Sequence, residues 1–110
     1  MPKETISIAD FQKLDLRVGT IIKAEKVTGS EKLMKIEVSL GQESRQLIGG
    51  LAAKFSPSEL EGKQVVVLVN LETKKMMGLE SQGMLLAAVL ENEPVLITPQ
   101  EKLADGTQVR

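Results

Sequence analysis

The chain has 110 residues, 42% of them hydrophobic and 26% charged, with a formal net charge of −1, the balance of one ordinary globular domain. It has no cysteine and no histidine, which excludes disulfides, thiol nucleophiles, serine triads and the common zinc sites. Two Phe and no Tyr or Trp disfavour functions that stack splayed bases on rings. The longest apolar runs, Val65–Val69 and Met84–Leu90, are far short of the ~20 residues that cross a bilayer. Met1–Thr5 has no basic-then-apolar leader. These features lead us to expect a cytoplasmic protein, one domain over 1–110, with no membrane partner, no cofactor, no metal and no catalytic residues.

Ser7 followed by Asp10 has the spacing of a capping box, and Ile6 and Phe11 that of a hydrophobic staple, so a single short helix is predicted at the N-terminus. An edge strand through Ile6 and Ile8 is the alternative. Leu14–Val27 reads as a long first strand, with Leu16, Val18, Ile22 and Ala24 at period two; Gly19 in its interior suggests a bulge or bend. Thr28-Gly29-Ser30 forms a turn. Met34, Ile36, Val38 and Leu40 then alternate with Lys35, Glu37 and Ser39, the pattern of a half-buried strand. A tight turn at Gly41-Gln42-Glu43 leads into a third strand, Arg45–Ile48.

Ser56-Pro57-Ser58-Glu59 places Ser at the N-cap, Pro at the first helical position and Glu at the third, and Gly62 closes this second helix. A fourth strand spans Gln64–Val69 and a fifth spans Gly83–Leu90. The latter turns at Glu91–Pro94 into Val95–Thr98, and a turn-rich tail follows. Between strands four and five, residues 70–84 are expected to form a loop, longer than the usual ~4–6-residue connection and for that reason a functional candidate. The element order is that of an all-β, five-stranded OB-fold barrel with a short helix between strands three and four. An open α+β sandwich is the alternative.

Basic residues outnumber acidic ones by seven to six in 1–41, whereas acidic residues lead by four to two in 81–110. Lys32, Lys35, Lys74 and Lys75 are therefore a candidate local patch despite the net negative charge. The 70–84 segment adds Asn70, Ser81 and Gln82, donors that suit phosphate and ribose oxygens; of its methionines, Met76 and Met77 are expected to fill the core under the loop in preference to touching a ligand, and Met84 fits either role.

Four segments carry a family resemblance: Asp15-Leu16-Arg17-Val18-Gly19, Ser30-Glu31-Lys32-Leu33, Ile48-Gly49-Gly50-Leu51 and Gly78–Ala88. In this order and over nearly the whole chain, the sequence resembles the tRNA-binding domain family. That family includes methionyl-tRNA synthetase C-terminal domains and β-subunits, the endothelial-monocyte-activating-polypeptide domain, and free-standing structure-specific tRNA-binding proteins. The resemblance implies a barrel that dimerises through its N- and C-terminal extensions and grips the outer corner of tRNA by shape. Lys32, Lys35, Asn70, Lys75, Ser81 and Met84 match positions on the family's RNA-binding face, with Arg17 a further candidate. Ser81 is expected to supply a neutral hydrogen bond to RNA, and Met84 a packing contact.

Two departures from the family pattern stand out. Glu72 and Thr73 occupy positions where relatives carry Lys and Pro, and Lys54-Phe55-Ser56 stands where relatives carry tyrosines. The implied partners are tRNA, a second copy of the chain and a methionyl-tRNA synthetase. Met1, and an end just past the barrel, favour a free-standing protein; a trimmed synthetase domain with an added start codon would look the same and stays the alternative. A dimeric, secretion-linked chaperone branch of the family that binds unfolded peptides is the competing functional expectation.

Overall fold

A computed structural model describes residues 2–110; Met1, on which the free-standing expectation partly rests, lies outside them. Helix α1 (Ile8–Phe11) is one turn, and the Ser7 hydroxyl at its N-cap accepts from the Asp10 N–H at 3.0 Å. Strand β1 (Leu16–Lys26) runs antiparallel to β2 (Met34–Ser39), which pairs with β3 (Ser44–Gly49). Helix α2 (Pro57–Leu60) follows, with Pro57 at its start and the Glu59 carboxylate accepting from the Ser56 N–H at 2.9 Å. Strand β4 (Gln64–Leu68) returns along the first half of β1.

The sheet order is β3-β2-β1-β4-β7, where β7 is Met84–Leu85. β1 serves two neighbours in succession: residues 16–20 pair with β4 and residues 20–26 with β2. That change of partner curls the sheet into the nearly closed OB-type barrel read from the sequence. Met34, Ile36 and Val38 of β2, Leu47 of β3, Val65 and Val67 of β4, and Val69 just past its end fill the interior, and fully buried Leu60 of α2 belongs to the same cluster. Outside the barrel, Leu16, Val66 and Leu68 form a second cluster covered by Phe11, Leu86 and Val109.

Three local expectations are corrected. The irregularity in β1 falls between Ile21 and Lys23, not at Gly19. Gly19 is needed for close approach, since a Cβ there would lie 2.5 Å from Val38 Cγ1 and 2.8 Å from the Ser39 carbonyl oxygen. The predicted 70–84 loop contains a hairpin, β5 (Lys74–Met76) with β6 (Leu79–Ser81). Its two-residue turn, Met77-Gly78, has φ of 53° and 79°, the left-handed pair that matches the twist of a tight hairpin. The predicted fifth strand breaks after Leu85. The Leu86 N–H donates to Val66 O, and the Leu86 carbonyl then accepts from Ile97 N. The chain thereby leaves the barrel as a separate hairpin, β8 (Ala87–Leu90) with β9 (Glu93–Leu96). In the turn-rich tail, β10 (Gln108–Val109) adds to the start of β1.

Candidate nucleic-acid interface

Lys35 lies on the outward-pointing row of β2, because Met34, Ile36 and Val38 take the inward positions. Its ammonium pairs with Glu25 across the β1–β2 ladder. This bond holds the Glu25 carboxyl below the usual carboxylate range. Lys32 precedes β2 on the exposed turn, where its backbone is fixed: the N–H donates to Ser30 Oγ and the carbonyl accepts from Ala52 N.

Hairpin β5–β6 is brought to this edge by its second strand. Lys35 is the cross-strand partner of Ile48, the Ile48 N–H donates to Ser81 Oγ at 3.0 Å, and Ser81 is the partner of Lys74. A continuous row therefore links Lys35 to Lys74 through β3 and β6. Lys75, beside Lys74, pairs in register with Glu80 and is exposed. At the hairpin tip, Met77 and Leu79 border a hollow with Val27, Thr28 and Lys35. Among the described residues, the side chains of Lys32, Lys74 and Lys75 make no ion pair and no hydrogen bond. Their donors are free for a ligand.

Next to the hairpin lies an apolar groove of about 370 Å³. Ile48, Gly49, Gly50, Met76, Met84 and Val89 are among the residues that line it. Met84 is 46% exposed, so this side chain is available for a packing contact.

The remaining sequence-derived candidates stand elsewhere or are already engaged. Arg17 sits at the other end of β1 from the Glu25–Lys35 pair. Its Nε and Nη2 donate to the two Asp15 carboxylate oxygens at 2.9 and 3.3 Å, and this pairing raises its pKa further. Asn70 is exposed, yet both ends of its amide are used. Its Oδ1 accepts from Asp15 N at 2.8 Å and its Nδ2 donates to Lys13 O at 2.7 Å. Asn70 thus clamps the segment after α1 to the end of β4. Ser81 is 4% exposed. Its hydroxyl accepts from Ile48 N and donates to Gly83 O at 3.1 Å, so the structure aims it into the protein and away from any ligand.

Two further residues share the work of Ser81: Gln82, a candidate donor in the sequence, and Gln46, which the sequence reading did not single out. Gln82 Oε1 accepts from Gln46 N at 3.0 Å, and Gln46 Nε2 donates to Glu80 O at 2.9 Å. Both Phe rings are occupied in packing: Phe11 against the Leu16 cluster and Phe55 against the barrel core. The interface therefore offers ammonium groups, backbone and a thioether, with no aromatic platform.

Residues 16–108 match the family described as "Putative tRNA binding domain". The methionine–tRNA ligase of Archaeoglobus fulgidus is 53% identical over 107 residues, 97% of this chain. That of Caldanaerobacter subterraneus is 46% identical over 104 residues, 94% of this chain. The chain spans 16% of the length of either ligase. Among solved structures, a MetRS-related protein from Pyrococcus horikoshii superposes with a TM-score of 0.92 at 39% identity, covering 98% of this chain and all of that one. The chaperone CsaA from Bacillus anthracis does so with a TM-score of 0.89 at 27% identity, covering 97% of this chain and all of that one. A match over this span, with motifs and barrel in agreement, means that the chain belongs to the tRNA-binding domain family.

Proposed function

We propose that this tRNA-binding domain is non-catalytic and holds the outer corner of folded tRNA by its shape, through phosphate and 2′-hydroxyl contacts from Lys32, Lys35, Lys74 and Lys75. The observation that carries the reading is that unpaired ammonium groups share one barrel edge while both aromatic rings are half-buried and engaged in packing. Recognition of double-helical RNA needs donors along the backbone, whereas single-strand binding needs rings. Similarity to methionine–tRNA ligases supports a role in raising tRNA affinity for such an enzyme, as its domain or as a separate subunit.

Three to four phosphate contacts give an expected slope of log affinity against log salt of about −3. Filter binding of bulk tRNA and of a linear single strand across a salt series tests this. Lys32→Ala and Lys75→Ala should each flatten the slope by about one and weaken different tRNA species alike, since phosphate contacts carry no sequence information. Met84→Ala should lower affinity at unchanged slope. Equal affinity for the two RNAs would defeat the reading.

A second reading, binding of unfolded peptides, draws on the apolar groove beside Met84 and on the likeness to a chaperone; it predicts peptide binding that is insensitive to salt. Either reading includes a homodimer. Ile6, Ile8, Val89 and Leu90 are each more than 60% exposed, an apolar excess of the kind that a stable interface covers. Light scattering at micromolar concentration should give twice the 12.0 kDa chain mass; a monomer would refute the dimer.

A further inference from the structure

The closing seam of the barrel is built in an unusual way. β3 spends one edge on β2, leaving the N–H groups of Gln46 and Ile48 facing the segment from Glu80 to Gly83. An unpaired strand edge is costly when buried and adhesive when exposed. Here, side-chain oxygens stand in for a partner strand. Gln82 Oε1 takes the Gln46 N–H and Ser81 Oγ takes the Ile48 N–H. One backbone bond, Gln82 N–H to Gln46 O at 2.8 Å, lies between them. Gln46 Nε2 reaches back to Glu80 O, and Arg45 Nη1 donates to both Val69 O and Gln82 O, at 2.9 and 3.1 Å.

These bonds converge on the root of hairpin β5–β6. The hairpin is otherwise a two-stranded unit outside the main sheet. An isolated hairpin is marginal in water, so its attitude depends on what fastens its root. The two free ammonium groups of Lys74 and Lys75 ride on that unit, while Lys32 and Lys35 are fixed to the barrel itself.

We propose that Ser81 and Gln82, together with Gln46, are positioning residues for RNA binding: they fasten hairpin β5–β6 to β3, setting Lys74 and Lys75 at the spacing from Lys32 and Lys35 that the phosphates require, without touching the RNA. The proposal rests on the RNA-binding reading above. It assigns Ser81 a different part from the ligand contact expected from the sequence, because its hydroxyl has both a donor and an acceptor partner inside the protein and is buried.

The two roles differ in a measurable way. A direct neutral contact, once removed, lowers affinity at constant salt slope. A fastener, once removed, loses phosphate contacts made by residues that have not been mutated. In Ser81→Ala, the salt slope should therefore flatten by one to two units, since each lost phosphate contact contributes about 0.9, and Ile48 N–H exchange should accelerate at least tenfold. In that background, Lys75→Ala should add less than a twofold loss, whereas Lys32→Ala should keep its full effect.

Gln82→Ala, which keeps the backbone bond to Gln46, serves as a milder second variant and covers the case in which Ser81→Ala does not fold. It should flatten the slope in the same sense, and Lys75→Ala should again be less than additive with it. A parental slope in either folded variant, with Lys75→Ala fully additive, would make Ser81 a contact residue and overturn the proposal. A parental slope and affinity despite faster Ile48 exchange would show that hairpin attitude is irrelevant, which also overturns it. If the unmutated protein shows no salt-dependent tRNA binding, the underlying RNA-binding reading itself falls.

Discussion

Gly83 lies where the hairpin root re-enters the barrel, and adding one methyl group there should cost the protein about 3 kcal/mol. Its φ is +149°, and a Cβ would sit 2.8 Å from the Leu68 carbonyl oxygen, 3.2 Å from Leu47 Cδ2 and 3.5 Å from Val67 Cγ1. Glycine-only backbone conformations cost other residues roughly 1–3 kcal/mol. The nearest clash adds to that, because Leu68 belongs to a strand held on both sides, by β1 and by β7, and cannot withdraw. With about 4 °C of melting temperature per kcal/mol for a domain of this size, Gly83→Ala should melt about 12 °C below the parent while staying folded at 25 °C. Gly50→Ala is the control. Nothing lies within 4 Å of its added Cβ and its φ is not in the left-handed region, so its melting temperature should be within about 2 °C of the parent. Thermal melts followed by circular dichroism read both. A Gly83→Ala protein that melts like Gly50→Ala would refute the reasoning, because it would mean that β4 yields to the methyl group.

Three further outcomes follow from the polar contacts. Glu25→Gln should tighten tRNA binding at low salt by freeing Lys35 and removing a carboxylate beside the phosphates, with the gain fading as salt screens it; unchanged or weaker binding at low salt would place Lys35 outside the interface. Because Lys35 holds the Glu25 carboxyl below its ordinary 4.5, the pair's stabilisation is present above that value and is lost as pH falls through the lowered pKa. Lys35→Ala should accordingly move the Glu25 NMR titration up to the ordinary range. Asn70→Ala should cost about 1–2 kcal/mol of stability for its two lost bonds while leaving the salt slope of tRNA binding unchanged; a flatter slope would show that Asn70 helps place the phosphates.

What could be read from the sequence divides along a physical line. β2 was legible because one of its faces is buried and the other is wet, so Met34, Ile36 and Val38 alternate with Lys35 and Glu37. Helix α2 was legible because its Ser-Pro-x-Glu start is local chemistry. Hairpin β5–β6 was hidden by its own turn: Met77, a non-glycine residue at φ 53°, occupies the first left-handed position, so only Gly78 signals the reversal. The break after Leu85 was hidden because apolar character continues through Ala87–Leu90 onto a hairpin that leaves much of it exposed. Positions of the site lysines could be listed from the family motifs, but Ile48 and Gln46, the β3 partners of Ser81 and Gln82, lie 33 and 36 residues away in the chain. No local pattern carries that information.

The finite capacity of polar side chains then sorts the candidate residues more sharply than their identities do. A ligand can use only those donors that the fold has left unspent. Ser81 and Asn70 are committed to backbone partners, and Arg17 gives Nε and Nη2 to Asp15. Lys35 is intermediate, since binding a phosphate competes with Glu25. Lys32, Lys74 and Lys75 keep all three N–H groups each. The same bookkeeping explains how a chain of net charge −1 suits a polyanion. Several of its carboxylates are already held by the protein: Asp15 by Arg17, Glu43 by Arg45, Glu59 by Ser56 and Asp105 by Thr20. Charges farther away than about 8 Å are screened at physiological ionic strength, so a phosphate arriving at the hairpin edge responds to unpaired lysines nearby and very little to the total.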